Sequence, residues 1–171
     1  MKKIVEFILL SLFCILLPFS TFSDCNPQIV LASTSSESTI QFVNGDLYVG
    51  NVLNGLANGN GIYYYANGDV LSGNFTNGII NGHGIFAIQS QGISYEGDFV
   101  NGVASGKGIL NFVTKNERYE GDFVDNKMEG QGRYFFSNGS YYEGSFVNSV
   151  PNGQGKYCDP TGKILNEGVF Y

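Results

Sequence analysis

The side chains that could do chemistry in this chain are few, and they do not gather. The one histidine, His83, stands between Gly82 and Gly84. Its slot is held elsewhere by Asn60, Lys107, Gln131 and Gln154, which marks an exposed strand position. A lone histidine with the scattered Cys14, Cys25 and Cys158 makes no zinc set. No Ser-His-Asp or Cys-His nucleophile signature occurs either. Carboxylates are plentiful, but Glu96, Glu120, Glu143 and Glu167 recur at one place in a repeating pattern. Periodicity explains them better than an acid/base pair does. The pairs Gly59/Gly61, Gly82/Gly84, Gly106/Gly108, Gly130/Gly132 and Gly153/Gly155 suggest a phosphate loop. That loop needs a strand, a glycine turn and a following helix, and no helix-period segment follows any of them. The expectation is a protein without catalytic residues, metal or cofactor.

The glycines belong to a different pattern. Gly50, Gly73, Gly97, Gly121, Gly144 and Gly168 follow one another at steps of 23 or 24 residues. The first five each precede a Gly-x-Gly at fixed offsets of +9 and +11. Such a period marks a repeat architecture, which works through an extended surface. Around each key glycine the chain alternates, as in Tyr95-Glu-Gly-Asp-Phe99, Tyr119-Glu-Gly-Asp-Phe123 and Tyr142-Glu-Gly-Ser-Phe146. Alternation at period two is the signal of a half-buried strand. Tyr95, Gly97 and Phe99 share one face, with Glu96 and Asp98 on the other. A second strand follows, with Gly106, Gly108, Leu110 and Phe112 on one face. The segment Asn101 to Ser105 reads as the loop between the two, and Asn67-Gly68 and Asn138-Gly139 as tight turns between repeats. Asn44-Gly45 closes an earlier hairpin after a strand from Ile40 to Val43. Either of two registers, Phe99 opposite Gly106 or opposite Gly108, lays an aromatic ring over a glycine.

These residues resemble the MORN (membrane occupation and recognition nexus) repeat family over roughly residues 42 to 171. Its unit is close to Tyr-x-Gly-x-Phe/Trp followed by Gly-x-Gly. Departures are Val52 for the aromatic, Leu71 and Asn166 for the tyrosine, and Asp159 at an apolar place. The fold expected is all-β: an elongated single-layer antiparallel meander of repeated β-hairpins, about 12 strands. Repeats are expected at 46–68, 69–92, 93–116, 117–139 and 140–162, with a partial unit at 163–171, in a domain spanning 40–171.

The N-terminus has another character. Met1-Lys-Lys3 precedes an apolar run from Ile4 to Phe19, and Thr21-Phe-Ser23 offers small residues before a cut at Asp24. This is the layout of a secretory signal over 1–23. The alternative is an uncleaved membrane anchor, for which the run is slightly short. Residues 24–39, rich in Ser and Thr, read as a flexible tether. If the signal leaves, Cys25 and Cys158 remain, and the span of the repeats argues against a bridge between them. Asn74-Phe-Thr76 and Asn138-Gly-Ser140 match the N-glycosylation acceptor pattern.

The full chain carries a formal charge of −6. Such a balance repels nucleic acid and anionic membranes. Lys107, Arg133 and Lys156 share the outward face with the acids and are placed to pair with some of them. The function expected is an exported, non-enzymatic scaffold for protein partners, secreted or in the cell envelope. Two surfaces are candidates. One is the aromatic stripe of Tyr63, Tyr65, Phe86, Phe112, Tyr134, Phe136 and Tyr157, whose alternative use is to bind membrane lipid or glycan. The other is the apolar C-terminal edge of Ile164, Leu165, Val169, Phe170 and Tyr171, a template for a homodimer.

Overall fold

The computed structural model describes residues 27–28 and 38–171. The expected signal or anchor, Cys14, Cys25 and most of the expected tether lie outside the described residues. The described strands fall into two compact units, divided in the chain between Gly102 and Val103. The first holds β1 (Pro27–Gln28), β2 (Ser38–Phe42), β3 (Leu47–Leu53), β4 (Leu56–Tyr64), β5 (Val70–Thr76), β6 (Ile79–Ile88) and β7 (Ile93–Val100). The second holds β8 (Val103–Phe112), β9 (Glu117–Val124), β10 (Lys127–Phe135), β11 (Tyr141–Val147), β12 (Val150–Cys158) and β13 (Ile164–Phe170). Within each unit, strands pair antiparallel with their neighbours in chain order, as a hairpin meander must. The sheet begins earlier than the expected boundary at 40. Ser38 and Thr39 pair with Gly50 and Val49, and Pro27–Gln28 pairs with Gln41 and Phe42.

The two kinds of turn exchange the roles expected of them. Inside each repeat the turn is only two residues long and both residues have positive φ: Asn54-Gly55, Asn77-Gly78, Asn101-Gly102, Asp125-Asn126 and Asn148-Ser149. Paired positive φ values are what a type I′ hairpin demands, so Val103 to Ser105 belong to β8 and not to a loop. Between repeats, Asn67-Gly68 and Asn138-Gly139 sit in wider turns where only the glycine has positive φ. There the hydrogen bonds run from Gly68 N–H to Tyr65 O and from Gly139 N–H to Phe136 O.

The register differs from both expected alternatives in the four hairpins β3–β4, β5–β6, β9–β10 and β11–β12. The key glycine faces the second glycine of its own Gly-x-Gly, as in Gly50↔Gly61, Gly73↔Gly84, Gly121↔Gly132 and Gly144↔Gly155. A bulge then shifts the strands, and Phe75, Phe123 and Phe146 face Ile80, Met128 and Pro151. The pairing of phenylalanine with glycine occurs between repeats instead. Phe75, Phe99, Phe123 and Phe146 face Gly59, Gly82, Gly106 and Gly130 of the preceding repeat.

The facing glycines leave room for one side chain, and the repeat tyrosine takes it. A Cβ at Gly132 would collide with the Tyr119 ring and hydroxyl, and one at Gly155 with Tyr142. Each ring ends in a hydrogen bond to the carbonyl three residues on: Tyr48 to Asn51, Tyr95 to Asp98, Tyr119 to Asp122 and Tyr142 to Ser145, at 2.9–3.1 Å. Beside Asn51, Asp122 and Ser145 the ladder is interrupted by the bulge. The tyrosine therefore gives a part-buried donor to a backbone acceptor at the break in the ladder. Where Leu71 replaces the tyrosine, Ile80 Cδ1 fills the space beside Gly73 and Gly84.

Candidate interaction surfaces

On the tyrosine–glycine face the repeat-defining rings are core. Tyr95, Phe99, Tyr119, Phe123, Tyr142 and Phe146 are all buried. Burial pushes the Tyr48 hydroxyl up to about 12, and Tyr95 and Tyr119 higher still, with nearby Asp98 and Asp122 adding to the effect. These hydroxyls are therefore fixed, neutral donors. Of the expected aromatic stripe, Tyr63, Phe86, Phe112 and Tyr134 are buried, while Tyr65, Phe136 and Tyr157 are half-buried. Ring centroids lie 4.6 Å apart for Tyr63 and Tyr65 and 5.7 Å for Phe136 and Tyr157. The hydroxyls reach back to the turn that opens their own repeat. Tyr63 donates to Asp46 at 3.0 Å, Tyr134 to Glu117 at 2.7 Å, and Tyr157 bonds Ser140 at 2.6 Å. The stripe thus spends most of its surface on packing and leaves little to a ligand.

The opposite face differs between the two units. In residues 103–171, cross-strand pairing runs Glu120–Arg133–Glu143–Lys156–Glu167. Arg133 donates to Glu143 at 2.6 and 3.1 Å, and Lys156 approaches the same carboxylate at 3.5 Å. Arg118 and Arg133 also lie over the Phe135 ring, at 4.5 and 5.7 Å from its centroid. Partial burial works against the Glu143 charge, but the bonds from Arg133 prevail and hold its carboxyl below the usual range. Asp122 is held low first by its bond to Lys107 at 2.5 Å, then by the Gln131 N–H at 3.0 Å. That second bond belongs to the bulge, where the residue after the key glycine acts as a latch. Asn51 does the same for the Asn60 N–H at 3.1 Å. The sequence reading missed this role. Its signal was present as Asn or Asp at four of these five positions: Asn51, Asn74, Asp98 and Asp122, with Ser145 the fifth.

In residues 38–102 the corresponding row reads Val49–Ile62–Ser72–Ile85–Glu96. Ile62, Ile85 and Tyr64 of the neighbouring row are 36, 42 and 41% exposed. His83 is exposed, with its ring nitrogens 3.7 Å from Glu96 and 3.8 Å from Asp98. Among the described residues, no three His, Cys, Asp or Glu side chains gather as metal ligands.

The expected C-terminal edge is β13. Ile164, Leu165, Val169 and Tyr171 are exposed, and Phe170 packs on Tyr142 with centroids 5.0 Å apart. Gly168 stands apart from the other key glycines: a Cβ there would meet nothing within 4 Å, whereas at Gly144 it would meet Gly155 and Tyr142. Cys158 is buried and unpaired. Asn74 is exposed on β5, and Asn138 is exposed at a turn, where its side chain accepts from the Ser140 N–H and hydroxyl.

Compared with known proteins, the chain matches the MORN repeat model five times, at residues 48–70, 72–91, 95–116, 119–141 and 142–164. No curated protein matches it by sequence. Among solved structures it is similar to the TCP domain of SAS-4 (dCPAP) from Drosophila melanogaster, determined in complex with a proline-rich motif of Ana2 (dSTIL). The identity is 14% and the TM-score 0.53, over 90% of this chain and 86% of that one. A mutant of the TCP10 domain of Danio rerio CPAP aligns at 16% identity with a TM-score of 0.21, over 82% of this chain and 93% of that one.

Proposed function

The chain belongs to the MORN repeat family, and from that premise we propose that it is an exported, non-enzymatic scaffold that holds protein partners against its sheet faces. One observation carries the reading. The rings of the tyrosine–glycine face are packed on one another, while the opposite face presents side chains at fixed spacing. Regular exposed rows are what a repeat scaffold offers a partner. The fold shared with a domain seen holding a proline-rich motif supports an extended protein segment as ligand. Export rests on the basic, apolar and small-residue order of residues 1–23. The test is recovery of the protein from its native cells with an antibody after cross-linking. The expected outcome is a chain shortened by its leader, outside the cytoplasm and cross-linked to defined proteins. A full-length cytoplasmic chain would refute export, and a chain with no protein cross-links would refute the scaffold.

Self-association is the sharper form of this reading. It is favoured by the open space at Gly168 and by the exposed apolar side chains of β13. An exposed strand edge pairs readily with a second copy, and antiparallel pairing of two such edges is isologous. Light scattering should give a dimer for residues 24–171 and a folded monomer once 164–171 are removed. A truncated protein that keeps the wild-type mass would exclude the edge.

A further inference from the structure

The outward face of residues 38–102 carries an exposed apolar row for which the fold has no need. Ile62 and Ile85 hold the positions that Arg133 and Lys156 hold in the other unit, and Val49 and Ser72 those of Glu120 and Glu143. The same strand pairing is therefore compatible with a charged, soluble surface. Charge differs in the same sense. Residues 38–102 contain no Lys or Arg, and their acids are Asp46, Asp69, Glu96 and Asp98. The first two are buried in turns, whereas Glu96 and Asp98 have half-exposed side chains at the β7 end of the row.

We propose that this face docks an extended partner segment that is apolar along its length and carries Lys or Arg where it reaches β7. The inference rests on the scaffold reading and adds to it the face and the chemistry of the partner. From Val49 to Glu96 the row crosses four inter-strand steps of about 4.8 Å, roughly 19 Å, or about six residues of extended chain. A segment lying across the strands sets apolar side chains on Ile62 and Ile85 and its cation beside Glu96, whose carboxylate lies 3.7 Å from the exposed His83 ring. A surface with acids, one histidine and no Lys or Arg repels an acidic segment and favours a basic one.

The test is selection of twelve-residue peptides displayed on phage against the immobilised mature chain. The best peptide is then titrated against Ile85→Lys, Glu96→Gln and Lys156→Ala. The Ile85→Lys variant sets a cation opposite Glu96, as Arg133 stands opposite Glu120, so it keeps a pairing the fold already uses. An unchanged melting transition checks this. The expected peptides combine apolar residues with Lys or Arg. Their affinity should fall about tenfold or more for Ile85→Lys, about threefold for Glu96→Gln, and stay unchanged for Lys156→Ala. Acidic or uncharged peptides, or affinity indifferent to Ile85→Lys, would overturn the assignment and leave the scaffold standing. Flotation of the chain with phosphatidylcholine vesicles and no peptide enriched would also overturn it, with a neutral bilayer as the occupant. No enrichment and no flotation would overturn it too, and with no cross-linked protein in cells the scaffold itself would fall.

Discussion

Residues 38–102 and 103–171 share one internal design and present opposite exteriors. In both, facing glycines receive a tyrosine ring, with Tyr48 over Gly61 and Tyr119 over Gly132. Outside, the first unit lays Ile62 and Ile85 where the second lays Arg133 and Lys156. The inner face is therefore dictated by the backbone, since a ring fits only where two side chains are missing. The outer face is not, and its chemistry is available for function.

The largest expected effect tests whether the inner design is truly common. Gly61→Val and Gly132→Val should each cost about 3 kcal/mol or more, because the added atoms meet a ring with nowhere to go. Urea unfolding would show it, and a variant with its midpoint unmoved would mean that the ring can leave its slot. Next comes the repeat that breaks the pattern. Leu71→Tyr alone should destabilise by about 1–3 kcal/mol, because Ile80 already fills the space. Combined with Ile80→Ala it should recover, giving a coupling of about 1 kcal/mol or more. Simple additivity would show that the two sites do not share that space. Tyr119→Phe should cost about 1 kcal/mol by leaving the Asp122 carbonyl without its donor.

The smaller effects separate the exteriors. Asp122 and Glu143 are held below the ordinary carboxylate range in the folded protein. Stability from a depressed carboxyl is fully present above its unfolded value, about 4, and is lost as pH falls through the folded value. Between neutral pH and about pH 3, wild type should thus lose more stability than Asp122→Asn or Glu143→Gln. Equal losses would show that these pairs do not contribute. Arg133→Ala should cost at most about 1 kcal/mol, fading at about 1 M salt, because the pair is partly exposed. A cost that salt does not touch would assign Arg133's role to its stacking on Phe135 and Tyr141.

Much of this was legible in the sequence, for reasons that can be traced. The period of the key glycines and the alternation of Tyr95 to Phe99 required hairpins, because period two has one structural meaning. The register did not follow. Placing Phe99 opposite a glycine was right in kind, but its partner, Gly82, belongs to the repeat before, as Gly106 does for Phe123. The bulge that moves it depends on where the Tyr119 ring goes, which strand alternation cannot report. The turns misled because Asn and Gly occur at both ends of every repeat. Only backbone φ tells the tight turn at Asn77-Gly78 from the wider one at Asn67-Gly68. The aromatic stripe was visible as a row, yet a row of rings reads the same whether buried or open. The apolar exterior of residues 38–102 was overshadowed by the glutamates of later repeats, although the absence of Lys and Arg from this stretch was there to be seen.

The tight turns also set an order of events. In four of the five, the second residue donates its N–H to the repeat before: Gly78 to Ala57, Gly102 to Ile80, Asn126 to Ala104 and Ser149 to Met128. The strand register follows the same rule, since Phe75 and Phe146 pair with Gly59 and Gly130 of earlier repeats. A chain leaving the ribosome finds, for each of these contacts, an acceptor that has already been synthesised. Assembly can thus keep pace with translation, one repeat behind the tunnel, with the Ala104 and Met128 N–H groups of the last finished repeat waiting for Asn126 and Ser149 of the next.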